Sequence, residues 1–128
     1  MAIETNSQPE IRVLPMPSDT NANGDVFGGW MMSQVDIAGS LAAHRRVGNR
    51  VVTVAVNEFS FIKPVMVGDV ISIFAEIDHV GNTSIRVALE VIAEHEHGNG
   101  KTEKVAKAML TYVSIDKNKN PRPISRES

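Results

Sequence analysis

One carboxylate, Asp36, stands between Val35 and Ile37 in the run W-M-M-S-Q-V-D-I-A-G-S-L-A-A-H (30–44), whose other polar members before His44 are small apart from Gln34. An ionised carboxylate in such surroundings is costly unless it is paired or hydrogen-bonded. Asp36 is therefore either a held structural group, with Arg45 or the neighbouring hydroxyls of Ser33 and Ser40 as partners, or a general base or nucleophile kept basic by apolar neighbours. Just upstream lies the polar, glycine-rich segment S-D-T-N-A-N-G-D-V-F-G-G-W (18–30). Gly28 and Gly29 would bring bare backbone N–H groups to a helix start, where the helix dipole favours the oxyanion formed when a carbonyl is attacked. Asn23, Gly24 and Asp25 would either shape an Asx turn and cap the helix or face the same chemistry.

The spacing constrains how these parts can cooperate. Asp36 follows Gly29 by seven residues, which is two helical turns or about 10 Å along the axis. That is too far for Asp36 to serve a carbonyl bound at the start of its own helix. If both act together, glycine loop and carboxylate come from different subunits, and the site lies at a dimer interface.

Other chemistries find little support. Neither the G-x-G-x-x-G spacing nor a P-loop is present, and Ser33 lacks a G-x-S-x-G setting. His95-Glu96-His97 suggests metal ligation but has no third ligand at a usable spacing, so no metal is expected and the segment reads as a solvated surface turn. His44 and His79 are isolated. The chain has no cysteine, which excludes disulfides, Cys-ligated metals and thiol catalysis. A formal charge of −2 and a pI near 6.1 argue against nucleic acid as the main partner. Arg45, Arg46, Arg50, Lys63, Arg86, Lys101, Lys104 and Lys107 read as a solvated surface from which a subset could meet ligand phosphates.

The elements that must position Asp36 follow from periodicity. The 128 residues suit a single domain (1–128) with one core, a loose start of about nine residues and a polar C-terminal tail. Ile11, Val13 and Met16 suggest a short strand ended by Pro15 and Pro17. Residues 30–44, apolar on every side, predict a helix buried all round, with Trp30, Met31 and Met32 in the core, although adaptable methionines also suit a pocket for variable apolar chains. Beyond Gly48-Asn49 the period becomes two. Val52, Val54 and Val56 alternate, Phe59 and Phe61 continue one step out of phase, and a bulge is expected near Asn57-Glu58. Two further alternating runs flank Gly81-Asn82 as a hairpin, and a last strand spans Val105 to Ile115. One helix and an antiparallel sheet of long strands make an α+β layer fold. The first residues carry no apolar leader and no run approaches the ~18 apolar residues of a membrane span, so a soluble, cytoplasmic protein with no membrane partner is expected.

The stretches D-T-N-A-N-G-D-V-F-G-G-W-M-M-S-Q-V-D-I-A-G (19–39), R-V-V-T-V-A-V (50–56) and F-I-K-P-V-M-V-G-D-V (61–70) resemble hotdog-fold acyl-CoA thioesterases of the bacterial YciA-like group. The match extends from about Arg12 to P-R-P (121–123). The resemblance implies a long antiparallel β-sheet wrapped around one central helix, and hydrolysis of acyl-CoA to a free acid and coenzyme A. It implies a homodimer with a continuous sheet and two sites between subunits, assembled further into tetramers or hexamers. Coenzyme A would be part of the substrate, with no other cofactor. The family's catalytic carboxylate falls on Asp36 and its oxyanion donor on the Gly29 N–H, with Gly28 beside it. The facing polar loop falls on Asn23 to Asp25, where relatives carry either Asn or Asp before V-F-G-G or V-H-G-G. Thr53 and Asn57 match the substrate-facing strand, and Lys63, Ser84 and Arg86 match segments near the coenzyme A channel. Two rival readings share the fold: a non-catalytic acyl-CoA sensor, and an enoyl-CoA hydratase. The first has no use for a costly buried charge, and the second wants an Asp/His pair in a loop that here holds no His.

Overall fold

The protein is described by a computed structural model covering residues 8–95 and 100–126. Strand β1 (Ile11–Val13) leads through a 3-10 turn at Pro17–Asp19 to helix α1 (Gly28–Val47), followed by β2 (Val51–Phe61), β3 (Val70–Val80), β4 (Ser84–Glu94) and β5 (Thr102–Ser114). The strands form one five-stranded sheet in the order β1-β3-β4-β5-β2, with every pairing antiparallel.

Local chemistry accounts for the element ends. Gly48 takes the left-handed conformation (φ 74°) and donates its N–H to the His44 carbonyl at 2.7 Å, closing α1 as a glycine after a helix commonly does. The β3–β4 hairpin turns at the expected Gly81-Asn82, where the Gly81 N–H meets the Ser84 carbonyl at 2.7 Å. Ile71, Ile73, Ile85, Val87, Leu89, Val91, Leu110 and Tyr112 stand on the sheet face beneath α1 and are fully buried there. Among the described residues no helix is long and apolar enough to cross a membrane.

Two expectations need correction. First, α1 is not buried all round. Met31, Val35, Ala38, Gly39 and Ala43 pack against the sheet, whereas Met32, Ile37 (47% exposed) and Leu41 form a second apolar stripe open to solvent. A single sheet can cover only one side of a helix, so the other side is left uncovered. Second, Val52, Val54 and Val56 do not share a face. The register of β2 against β5 slips between Thr53 and Ala55 and again between Val56 and Glu58, so there are two bulges where one was expected. Each extra residue inverts the alternation. The polar C-terminal tail carries one apolar anchor: Ile124 is buried in the core, its N–H bonded to the Asn82 carbonyl at 2.8 Å.

Strand β2 closes one end of the sheet, and among the described residues its outer edge is unpaired. Eleven residues long and carrying exposed Val52, Val54 and Val56, it is the kind of edge that pairs with another chain.

Candidate active site

Asp36 sits midway along α1, half-buried over the junction of β2 and β5. Thr53 Oγ1 donates to its Oδ1 at 2.7 Å, and the Tyr112 hydroxyl lies 3.1 Å from the same oxygen and 3.0 Å from the Asp36 backbone carbonyl. Thr53 and Tyr112 are direct cross-strand partners, so one register step places both donors under the carboxylate. None of the partners considered from the sequence holds it: Arg45 pairs with Glu10, and Ser40 donates to the Ile37 carbonyl. Tyr112 is fully buried, and burial, followed by the charge and hydrogen bond of Asp36, pushes its phenol far above the ordinary range. It stays a neutral donor.

Sequence reasoning missed Tyr112. The signal was available, because it is the only tyrosine of the chain, it lies inside a strand, and a buried phenol needs a hydrogen-bond partner.

Asp36 and Gly29 line one cleft of about 360 Å³ between α1 and β2, together with Met32, Ser33, Thr53, Val56, Phe59 and Leu110. The bulge after Thr53 makes this possible, since Thr53 and Val56, three residues apart, both face the cleft. The two glycines behave differently. A Cβ on Gly28 would sit 3.1 Å from Phe61 Cζ, whereas one on Gly29 would meet nothing within 4 Å. Gly28 permits a close packing contact; Gly29 leaves its backbone open. The N-cap residue is Phe27 and makes no side-chain cap, so the first N–H groups of α1 are not occupied by Asn23 or Asp25.

The loop before the helix is organised by a residue not singled out from the sequence. Asn21 Oδ1 accepts from the backbone N–H groups of Asn23 (2.9 Å) and Asp25 (3.1 Å), and the Gly24 N–H reaches the Asn21 carbonyl at 3.0 Å. Asn23 is exposed. Asp25 lines a second cleft of about 360 Å³ with Asn21, Gly28, Phe61 and Lys63. The candidate residues thus fall into two groups within one chain: Gly29, Asp36 and Thr53 in the first cleft, and Asp25, Gly28 and Lys63 in the second.

The remaining candidates are not brought to either cleft. Asn57, a bulged residue, accepts a hydrogen bond from Thr111 Oγ1 at 2.6 Å, and Thr111 pairs with Arg86 across β5–β4. Thr111 alternates with the inward Leu110 and Tyr112, which puts Asn57, Ser84 and Arg86 on the sheet face away from α1. Arg86 is ion-paired with Asp78 at 2.8 Å. Lys63 is likewise engaged, its ammonium 2.9 Å from Glu103.

His95 is no free surface residue. Its Nδ1 lies 3.0 Å from Asp69 and its Nε2 2.7 Å from Glu103, while Glu96 and His97 fall outside the described residues. The hydrogen bonds to Asp69 and then Glu103 raise its pKa, and Glu103 is lowered by Lys63 first and His95 second. Asp69 also accepts from the Met66 N–H at 3.0 Å. The cluster ties the β2–β3 loop that walls the second cleft to the start of β5.

Comparison with known proteins adds an independent line. The family model described as the thioesterase superfamily matches residues 23–98. The acyl-CoA thioester hydrolase YciA of Salmonella typhimurium is 44% identical over 116 residues, covering 89% of this chain and 87% of that protein. The hexameric thioesterase of Yersinia pestis superposes with a TM-score of 0.88 at 42% identity, covering 95% of this chain and 98% of that one. The hexameric hotdog-fold thioesterase of Campylobacter jejuni superposes with a TM-score of 0.89 at 41% identity, covering 97% and 95%.

Proposed function

The chain belongs to the thioesterase superfamily and has the hotdog fold, and from that premise we propose that it hydrolyses acyl-CoA thioesters to a free carboxylic acid and coenzyme A, with Asp36 as the catalytic carboxylate. The observation that carries the reading is the first cleft. It sets the only carboxylate of the apolar helix in a space walled mainly by apolar side chains, with Gly29, whose backbone is open, two turns away at its far end. Relatives named as acyl-CoA thioester hydrolases support the substrate class.

In this mechanism the thioester carbonyl oxygen accepts the Gly29 N–H at the uncapped start of α1. Such a donor, aimed at charge that develops only in the transition state, is worth about 3 kcal/mol. Asp36 either takes a proton from the attacking water or itself attacks the carbonyl carbon, expelling the coenzyme A thiolate and leaving a mixed anhydride that water opens. The reaction calls for no cofactor beyond the coenzyme A of the substrate.

The two groups are two helical turns apart, and the acyl carbon must lie about 3 Å from both. The proposed site therefore pairs Gly29 of one subunit with Asp36 of the partner subunit. The exposed stripe of α1 and the open, valine-rich edge of β2 support a homodimer with a continuous sheet, and the hexameric relatives support further assembly.

The decisive experiment is thiol release from acyl-CoAs by wild type and Asp36→Asn. The variant should keep its fold and assembly while kcat falls by about 100-fold or more, the usual contribution of a positioned carboxylate. Near-wild-type turnover would refute the assignment. Single turnover in labelled water then distinguishes the routes, because label on Asp36 requires direct attack.

A further inference from the structure

Two hydroxyls converge on one oxygen of Asp36. Thr53 donates to Oδ1 at 2.7 Å and Tyr112 reaches the same Oδ1 at 3.1 Å, the latter sharing its single proton with the Asp36 backbone carbonyl at 3.0 Å. Among the described residues no hydrogen bond is made to Oδ2, and no charged group contacts the carboxylate from α1, β2 or β5. A carboxylate turns about its last side-chain bond unless something holds it, because that torsion is broad. Bonds to Oδ1 from two adjacent strands remove this freedom.

We propose that Tyr112 and Thr53 are positioning residues that lock Oδ1, so that Oδ2 is the oxygen of Asp36 that accepts the proton of water or attacks the thioester. The inference rests on Asp36 being the catalytic carboxylate. With Oδ1 occupied by two donors, the lone pair available to the substrate is on Oδ2, and the locked torsion fixes where it points. Thr53 thereby takes a part different from the substrate contact expected of it.

Gly39 completes the device. It is buried one turn beyond Asp36, and a Cβ there would overlap the Tyr112 hydroxyl oxygen. Only a residue without a side chain lets the phenol pass beneath the helix to reach Asp36.

The test uses the full-length, assembled protein and compares Tyr112→Phe, which keeps the ring, with Thr53→Val, which keeps the shape. Tyr112→Phe should lower kcat about ten-fold while KM changes little, because a mispointed Oδ2 costs turnover and not binding. Thr53→Val should act in the same directions. A folded Tyr112→Phe with wild-type kcat overturns the assignment, as does one in which only the melting temperature falls. If Tyr112→Phe does not fold, Thr53→Val decides on the same readouts, and an unchanged kcat overturns the lock. The Asp36→Asn control separates this inference from its premise. An active Asp36→Asn removes the premise, whereas an inactive Asp36→Asn beside an unchanged Tyr112→Phe removes the lock alone.

Discussion

Replacing Gly39 by alanine sets two effects of opposite sign against each other. In a helix interior, Gly→Ala ordinarily stabilises by about 1 kcal/mol. At this position the new Cβ would overlap the Tyr112 hydroxyl oxygen and lie 3.1 Å from its Cζ and 3.2 Å from its Cε1. Tyr112 is fully buried within the core cluster and cannot swing into solvent, so either the phenol or the helix must move. Overpacking of this kind costs about 1–3 kcal/mol. Displacing the hydroxyl also breaks its bond to the carboxylate, and a hydrogen bond to a charged group is worth about 1.5–3 kcal/mol. The steric and hydrogen-bond losses outweigh the propensity gain, leaving a net destabilisation of about 2–4 kcal/mol. Urea denaturation followed through the single tryptophan, Trp30 on α1, measures it, at one fixed protein concentration because any self-association couples stability to concentration. Thiol release should fall in the same variant. A Gly39→Ala protein as stable as wild type, or more so, would show that propensity governs the position and that Tyr112 does not need the space.

Two more outcomes follow from features outside the cleft. The raised pKa of His95 means its contribution to stability is fully present below the ordinary value of 6.5 and is lost as pH rises through the folded-state value, whereas the lowered Glu103 contributes above 4.5 and loses that contribution as pH falls through its folded value. The stability gap between wild type and His95→Gln should therefore be wider at about pH 5.5 than at about pH 8.5 in chemical denaturation, and a gap that stays constant or widens with pH contradicts the cluster. Val54→Lys places a charge on the open edge of β2 at a bulged, exposed position, and sedimentation should show a smaller assembly at micromolar concentration. An unchanged assembly would move the interface elsewhere.

Much of the fold was legible because burial repeats with the period of the element that carries it. Ile71 to Ile77 and Ile85 to Ala93 alternate with period two on either side of a glycine turn, and they pair as that pattern requires. Where the pattern misled, the cause lay in contacts between distant segments. The valines of β2 alternate in sequence, but two bulges against β5 separate their faces, and only one of the two was visible from the phase change at Phe59. Helix α1 reads as buried on every side because the sequence records every surface it will cover, including the stripe at Met32, Ile37 and Leu41 that its own sheet does not reach. Asn57, Ser84 and Arg86 are brought to neither cleft because strand alternation, invisible until the register is known, points them away from the helix.

The sequence by itself determined that one carboxylate would lie on an apolar helix two turns beyond a glycine pair, since both facts are set by residue order and the rise of a helix. It could not determine what holds that carboxylate. Asp36 and Tyr112 are 76 residues apart, and only the pairing of β2 with β5 brings the phenol and Thr53 together beneath the helix. Hydrogen bonds are short and directional, so a partner that remote in sequence becomes identifiable only when the sheet register is known.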